Sequence, residues 1–507
     1  MKGIVNNLFK WYLSERYGMI ERFMRHPVNA QDEVWDYLRT VAEDTVFGKE
    51  YNFASIKDRR SFAQQVPLQD YESLKPYIKR MMYGEKDVLW PGAVEWYSKS
   101  SGTTSDKSKF IPVSRENLKK CHIRGSWDTL TILYHNKPES QIFAGKNLIM
   151  GGSLSEFSEY PHSQIGDVSA IMMAHMPAFA KPFYAPNLEI GLMSEFEKKI
   201  ELTARNALDI NVTMIGGVPT WTIVLFRRIL EITGKSNMLE VWPNFETYIH
   251  GGVSFLPYRE QFKRFFPSDS VRYVEIYNAS EGYFAIQNDF NTDDMLLLLD
   301  NGIYYEFLPM EEWDTENPQT VLLEEVEAGK NYAIVISTNA GLWRYMPGDT
   351  VVFTSTSPYK IKVSGRTQQF INAFGEEVMV SNTDQALAAA CKEFDAEVSE
   401  YTVAPYYFEN DSKGRHQWLI EFEKIPVDVN AFAESLDKNL QKINSDYEAK
   451  RYLDLALTNL SIQTLPKGTF HQWMKQRGKL GGQNKIPRLA NNRKYVDELL
   501  HYLNHPA

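Results

Sequence analysis

The sequence predicts an α/β protein with a large mixed α/β domain followed by a smaller, mobile α+β domain. The chain has 507 residues, which is too many for one ordinary core, and 43% of them are hydrophobic. From residue 94 to about 360, short β-rich runs alternate with helical stretches, which is typical of helices that cover sheets. The pattern changes near residues 360–380. We therefore expect a large domain over 1–364, a hinge over 365–373 and a small domain over 374–507.

The expected elements follow in chain order. Residues 1 to about 90 have the apolar spacing of helices. In the rest of the large domain we expect strands at 94–97, 110–113, 147–150, 212–215, 247–249, 272–277, 332–337 and 350–353, with helices at 195–208, 220–233 and 259–265. In the small domain we expect helices at 382–394 and 429–446 and strands at 397–404 and 417–422.

Charge and cysteine content exclude several classes of protein. The formal charge of −10 argues against nucleic acid as the main partner, because no domain-wide basic field is present. Cys121 and Cys391 are far apart, which argues against a disulfide framework and fits a reducing cytosol. The longest apolar-rich segment is short and contains glycine and proline, so no membrane span is expected. We expect a cytoplasmic monomer or weak dimer that binds neither nucleic acid nor membrane.

A polar loop connects the expected strands at 94–97 and 110–113. Glycine allows backbone N–H groups to approach an anion, hydroxyls add donors and lysine adds charge, so the loop suits a polyphosphate. It is not a Walker loop, because the Gly-x-x-x-x-Gly-Lys-Ser/Thr pattern is absent. A mobile polar hairpin is the alternative, and this cluster alone would favour it. The candidate residues are Ser100, Ser101, Gly102, Thr103, Thr104 and Lys107.

Two further turns follow expected strands and contain ligand-binding residue types. Gly251 and Gly252 end one strand, where bare backbone permits a flat ligand to approach. The run from Tyr277 to Gly282 follows another and includes Asn278, Ala279, Ser280 and Glu281. An aromatic ring can stack on a base, a hydroxyl can reach a phosphate, and a carboxylate can hold Mg²⁺. The alternative is a capped turn with Ser280 and Glu281 solvated.

Other motifs are individually weak. Thr220 lies near the start of an expected helix after Gly216 and Gly217, and could cap it. Asp349 follows Pro347 and Gly348; it could accept both hydroxyls of a ribose, although this is also favourable β-turn chemistry. Arg366 lies at the domain junction. Lys485 lies in a glycine-containing loop that could deliver a cation into a cleft, with an exposed basic turn as the alternative.

Read in order, these motifs resemble the adenylate-forming superfamily, which includes acyl-CoA synthetases and luciferases. They are most similar to the Gretchen Hagen family of acyl-acid amido synthetases, an auxin-responsive promoter family that also occurs in bacteria. The resemblance runs from about residue 30 to 490. The motifs that carry it are YESLKPYIKRMMYGE, SSGTTSDKSKFIPVS, YNASEG, RYMPGD and the GTF and GQNKIPR runs of the tail.

The resemblance implies a ligase that uses ATP and Mg²⁺ to adenylate a carboxylic acid and then transfers the acyl group to an amino acid. It implies that the polar loop contacts the polyphosphate, that Ser280 binds the α-phosphate and that Glu281 holds Mg²⁺. Tyr277 would stack on adenine against Gly251 and Gly252. Asp349 would bind the ribose with help from Arg366, and Lys485 would approach the α-phosphate.

The large domain should form the acyl pocket near Val218, Thr220 and Trp221, with the acid itself unspecified. Two alternatives stay open. The first is an acyl-CoA ligase of the aryl or phenylacetate type that uses the same acyl-adenylate. The second is a non-catalytic nucleotide-binding protein, against which the presence of Glu281 and Lys485 argues.

Overall fold

We describe the fold from a computed structural model. It describes residues 2–504 except 101–108, 156–159, 161, 253, 314, 316, 368–369, 372, 375, 377, 409–413, 452–456 and 479–485. The α-helices are α1 Lys2–Arg25, α2 Pro27–Ala42, α3 Val46–Glu50, α4 Arg59–Gln65, α5 Tyr71–Met82, α6 Arg115–Asn117, α7 Arg124–Asn136, α8 Val168–Ala174, α9 Leu188–Gly191, α10 Phe196–Leu208, α11 Pro219–Thr233, α12 Arg259–Phe265, α13 Val380–Glu393, α14 Val429–Ile443, α15 Ser445–Arg451, α16 Thr469–Gln476 and α17 Lys494–Asn504.

The strands run throughout the chain. They are β1 Trp96–Ser100, β2 Lys109–Val113, β3 Lys146–Ile149, β4 Leu154–Ser155, β5 Gln164–Gly166, β6 Tyr184–Ala185, β7 Val212–Gly216, β8 Thr247–Gly251, β9 Arg272–Ala279, β10 Gly282–Ile286, β11 Met295–Leu297, β12 Ile303–Pro309, β13 Asn331–Thr338, β14 Asp349–Thr356, β15 Tyr359–Arg366, β16 Phe370–Ile371, β17 Val378–Met379, β18 Glu397–Tyr407, β19 Gly414–Lys424 and β20 Ser461–Leu465.

The chain divides into two units. The first contains Met1–Gly252 and Phe265–Val363, and the second contains Val253–Arg264 and Ser364–Ala507. Segment 253–264 was predicted from the sequence to lie in the large domain, but it belongs with the second unit. Contacts within that unit explain it, because the Gln261 side chain donates to the Val398 carbonyl at 3.1 Å and Arg264 pairs with Glu397. The hinge over 365–373 stays a prediction.

The first unit is organised around an eleven-stranded sheet of order β12-β13-β14-β15-β11-β10-β9-β8-β7-β3-β6. From β6 to β9 neighbouring strands are parallel, whereas β9, β10 and β11 are antiparallel. The parallel strands are joined through helices, as expected of α/β connections. A smaller sheet of order β2-β1-β5-β4 contains the β1–β2 hairpin that flanks the polar loop.

The second unit has a sheet of order β18-β19-β20 and a two-stranded pair, β16–β17. Its core includes Trp418, Ile420 and Phe432, which are buried against one another. The mixed α/β class and the smaller α+β unit are confirmed. No helix among the described residues is both long and apolar enough to cross a membrane.

Local sequence explains where several helices begin and end. The Asp70 side chain accepts from the Ser73 backbone at 2.8 Å and begins α5. One prediction is wrong in its bounds: a single helix was expected over 429–446. Instead α14 ends at Ile443, because Asn444 is extended and its side chain accepts from the Tyr447 backbone at 2.7 Å to cap α15.

Candidate functional site

Four turns lie at one edge of the large sheet. Strands β3, β7, β8 and β9 are parallel, so the turns that follow them meet at the same edge. In open α/β sheets this carboxyl edge is where ligands bind. The turns contain Gly151–Gly152, Gly217–Val218, Gly252 and Ser280–Glu281. The last three were predicted from the sequence, and the first was not.

Ser280 and Glu281 form the tip of a tight hairpin. Ala279 of β9 is paired with Gly282 of β10, so only two residues connect the strands. Both residues are buried, with 4% and 7% of their surface exposed. The Ser98 hydroxyl donates to Ser280 Oγ at 2.9 Å. The alternative of a solvated turn is therefore wrong, and Ser98 is a neighbour that the sequence analysis missed although it lies in the strand before the polar loop.

Tyr277 and Asp349 are brought together from motifs 72 residues apart. The Tyr277 hydroxyl donates to Asp349 Oδ2 at 2.8 Å, and both residues are 6% exposed. The Tyr277 ring packs beside Phe284, with centroids 4.7 Å apart. Asp349 begins β14 directly after Gly348, whose φ of +92° requires glycine. Most of the Tyr277 ring is thus covered by protein, and its hydroxyl orients the Asp349 carboxylate.

Arg344 anchors the segment that leads to Asp349. It pairs with Glu306 at 2.9 Å, and the two side chains are 5% and 1% exposed. It also donates to the Val66 carbonyl at 2.6 Å and to Thr320 Oγ1 at 2.8 Å. Its φ of +42° is strained for a residue with a side chain, and these contacts hold it there. No role for Arg344 was predicted from the sequence.

Local backbone geometry favours glycine at positions 251 and 252. A Cβ on Gly251 would lie 2.5 Å from the Ile276 carbonyl oxygen of the neighbouring strand. Gly252 has a φ of +83°, which favours glycine. These reasons hold with or without a ligand. Asn278 and Ala279 are the last residues of β9.

The expected cap of α11 is wrong. Val218 is the N-cap residue and Pro219 occupies the first helical position, so Thr220 lies inside the helix. Proline suits that position because its missing N–H has no helical partner there. Gly217, which precedes Val218, is closely packed, because a Cβ on Gly217 would lie 2.8 Å from Met150 Cβ. Val218 and Trp221 therefore lie at the beginning of α11, beside the carboxyl edge.

The Gly151–Gly152 turn is held by a buried lysine. Lys199 Nζ donates to both glycine carbonyls at 2.8 Å, and Asp167 Oδ2 accepts from the Ser153 backbone at 2.7 Å. Burial lowers the pKa of Lys199 to about 8, although the Asp167 carboxylate acts in the opposite direction. The signal in the sequence was a Gly-Gly pair directly after an expected strand.

Some predicted residues lie outside the described ones. These are Ser101, Gly102, Thr103, Thr104, Lys107 and Lys485, together with the side chains of Ser100 and Thr220. Arg366 ends β15 and belongs to the second unit.

Within the described ranges, no group of three or more His, Cys, Asp or Glu side chains could hold a metal ion. A magnesium ion bound by one carboxylate and nucleotide phosphates does not need such a group, so Glu281 fits that role.

Comparisons with known proteins agree with the fold. Three family models match in sequence: the GH3 family N-terminal domain over residues 16–271, the central domain over 296–366 and the C-terminal domain over 381–494. The chain is 23% identical to indole-3-acetic acid-amido synthetase GH3.4 of Arabidopsis thaliana, covering 93% of this chain and 91% of that protein.

Two solved structures share the fold. GH3.15 acyl acid amido synthetase superposes with a TM-score of 0.78 at 17% identity, covering 96% of this chain and 95% of that one. A 2-hydroxyisobutyryl-CoA ligase in the postadenylation state superposes with a TM-score of 0.60 at 10% identity, covering 94% and 91%.

Proposed function

Because the chain belongs to the GH3 family, we propose that it is an ATP-dependent acyl-acid amido synthetase that joins a carboxylic acid to an amino acid. The observation that carries the proposal is a pair of buried hydrogen bonds: Ser98 bonds to Ser280, and Tyr277 bonds to Asp349. Each bond joins motifs far apart in the sequence at the end of β9 or in the turn that follows it, which supports a binding site there.

The proposed reaction has two steps. A carboxylate oxygen attacks the α-phosphorus of ATP, and the bond to pyrophosphate breaks. The amine of an amino acid then attacks the acyl carbonyl; a C–N bond forms, the bond to AMP breaks and the amine loses a proton. Activation comes first because a carboxylate is a poor electrophile until its oxygen becomes a good leaving group.

In this proposal different site residues bind the α-phosphate, the ribose, the adenine and the polyphosphate of ATP. Ser280 donates to the α-phosphate, and Ser98 fixes the position of its hydroxyl. Asp349 accepts the ribose hydroxyls, and Tyr277 orients the Asp349 carboxylate and stacks on the adenine. The loop of Ser100, Ser101, Gly102, Thr103, Thr104 and Lys107 contacts the polyphosphate.

Glu281 would hold Mg²⁺, which when bound neutralises charge on the phosphate oxygens. Glu281 is buried at the hairpin tip, with 7% of its surface exposed. Lys485 and Arg366 belong to the part of the chain that we propose is mobile, and Lys485 would stabilise the charge of the first step. Val218, Thr220 and Trp221 would line the acyl pocket.

The test is ATP–pyrophosphate exchange over a panel of carboxylic acids, with Mg²⁺. We expect exchange with at least one acid, and AMP rather than ADP as the product. Release of ADP and orthophosphate would indicate an acyl-phosphate ligase instead. Absence of exchange with every acid would favour the non-catalytic alternative.

An acyl-CoA ligase is the second candidate, because the fold is shared with a CoA ligase. Product analysis separates the two functions. The acid that supports exchange is incubated with ATP and either an amino acid mixture or coenzyme A. We expect an amide and no thioester, and the reverse result would assign the thioester reaction to this chain.

A further inference from the structure

Arg488 belongs to a buried polar cluster in the second unit. Its Nη1 donates to Asp384 Oδ1 at 2.7 Å, and its Nη2 donates to the Tyr258 hydroxyl at 3.0 Å. The Arg488 and Asp384 side chains are only 6% and 3% exposed. Breaking a buried pair leaves an uncompensated charge, so the cluster holds its members firmly in place.

The backbone around Arg488 is also fixed. The Arg488 carbonyl accepts from the Val403 backbone at 2.8 Å, and the Pro487 carbonyl accepts from Thr402 Oγ1 at 2.7 Å. The residues that follow Lys485 are therefore attached to β18. Arg488 follows Lys485 by three residues in the sequence.

Asp384 also contacts the segment that follows Gly252. Burial raises the pKa of Asp384, whereas Arg488, Tyr401 and the Ser254 hydroxyl favour its charged form. Ser254 follows Gly252 by two residues, and Tyr258, which binds Arg488, follows it by six. One cluster thus connects the chain after a proposed nucleotide-binding turn with the chain after the proposed catalytic lysine.

We propose that Asp384 and Arg488 are positioning residues for the adenylation step. They fix the chain that follows Lys485 relative to the segment that continues from the Gly251–Gly252 turn. This inference rests on the proposed function. Loss of the pair affects the step that uses Lys485, whereas amide formation from a ready-made acyl-adenylate proceeds.

The second unit contains a matched control. Asp437 pairs with Arg451 at 3.0 Å, with side chains 4% and 7% exposed, and it accepts from the Tyr447 hydroxyl at 2.7 Å. Asp384 likewise accepts from the Tyr401 hydroxyl, at 2.6 Å. Each aspartate is thus buried and pairs with one arginine and one tyrosine, but the partners of Asp437 belong to α15 and not to the tail. Asp384→Asn and Asp437→Asn should therefore cost similar stability.

The experiment compares these two variants in the full-length protein. Thermal unfolding, ATP–pyrophosphate exchange and single-turnover amidation of a synthetic acyl-adenylate are measured for each. We expect similar losses of Tm, but a fall in exchange rate on the order of 10²-fold for Asp384→Asn alone, with amidation preserved in both. Equal exchange in the two variants, or equal loss of both steps in Asp384→Asn, would overturn the inference.

Tyr258→Phe provides a second variant if Asp384→Asn does not fold. It removes only the hydroxyl that Arg488 contacts, and we expect a several-fold loss of exchange with amidation unchanged. Full exchange activity in this folded variant would also refute the positioning role. Failure of the wild-type protein to catalyse exchange would instead refute the proposed function, so the two failures are distinguishable.

Discussion

Asp349→Ala should weaken ATP binding far more than Tyr277→Phe. Asp349 is proposed to accept two charge-assisted hydrogen bonds from the ribose, each contributing about 1.5–3 kcal/mol. Their loss corresponds to about 3–6 kcal/mol, or a decrease in affinity on the order of 10²–10⁴-fold. Tyr277→Phe leaves the carboxylate in place and removes only a hydroxyl that orients it, so we expect a decrease below about tenfold.

Both substitutions also act on stability. Asp349→Ala removes the acceptor of the buried Tyr277 hydroxyl, 2.8 Å away, which should cost about 1–3 kcal/mol. Titration calorimetry with ATP and urea unfolding, applied to both single variants and the double variant, separate the two effects. The double variant should bind ATP about as weakly as Asp349→Ala. Unchanged ATP affinity in folded Asp349→Ala would show that Asp349 is only a turn residue, and equal weakening in both single variants would show that it acts through Tyr277.

Three further substitutions test buried charges. Burial raises the pKa of Glu400 from 4.5 to about 7 in the folded state, so its ionisation destabilises the fold increasingly between these pH values and fully above pH 7. Arg488 opposes this rise, and Asp384 and Glu421 add to it. Glu400→Gln should match the wild type at pH 4 and exceed its unfolding free energy by up to about 3 kcal/mol at pH 8; a pH-independent difference would contradict this. Glu306→Gln should lower the unfolding free energy in urea by about 3–5 kcal/mol, because the buried charge of Arg344 loses its carboxylate partner. A loss below about 1 kcal/mol would refute the role of this pair in anchoring the segment before Asp349. The pKa of Lys199 is about 8 in the folded state, against 10.5 in the unfolded chain. The unfolded chain therefore binds the extra proton between these pH values, and the unfolding free energy of the wild type should rise with pH there. Lys199→Met should abolish this rise.

The local sequence was sufficient to predict the fold class, the family and ten of the twenty strands found among the described residues. Alternating β and helical patterns depend on residue spacing, which is visible in the chain itself. Short motifs in a fixed order identified the family without any contact being known. The bounds were less reliable where one residue decides them: Pro219 moves Thr220 inside α11, and Asn444 divides a helix that periodicity made continuous.

Tertiary structure alone decided which residues meet. Nothing in the spacing of Tyr277 and Asp349 indicates that their side chains share a hydrogen bond, because the bond depends on how non-adjacent strands are ordered in the sheet. The same holds for Ser98 beside Ser280, for Lys199 beneath the Gly151–Gly152 turn and for Arg488 against Asp384. Sequence patterns show the periodicity of each helix and strand. Burial and long-range pairing depend instead on how these elements pack. Packing therefore decides which buried groups become partners and which of them carry a charge.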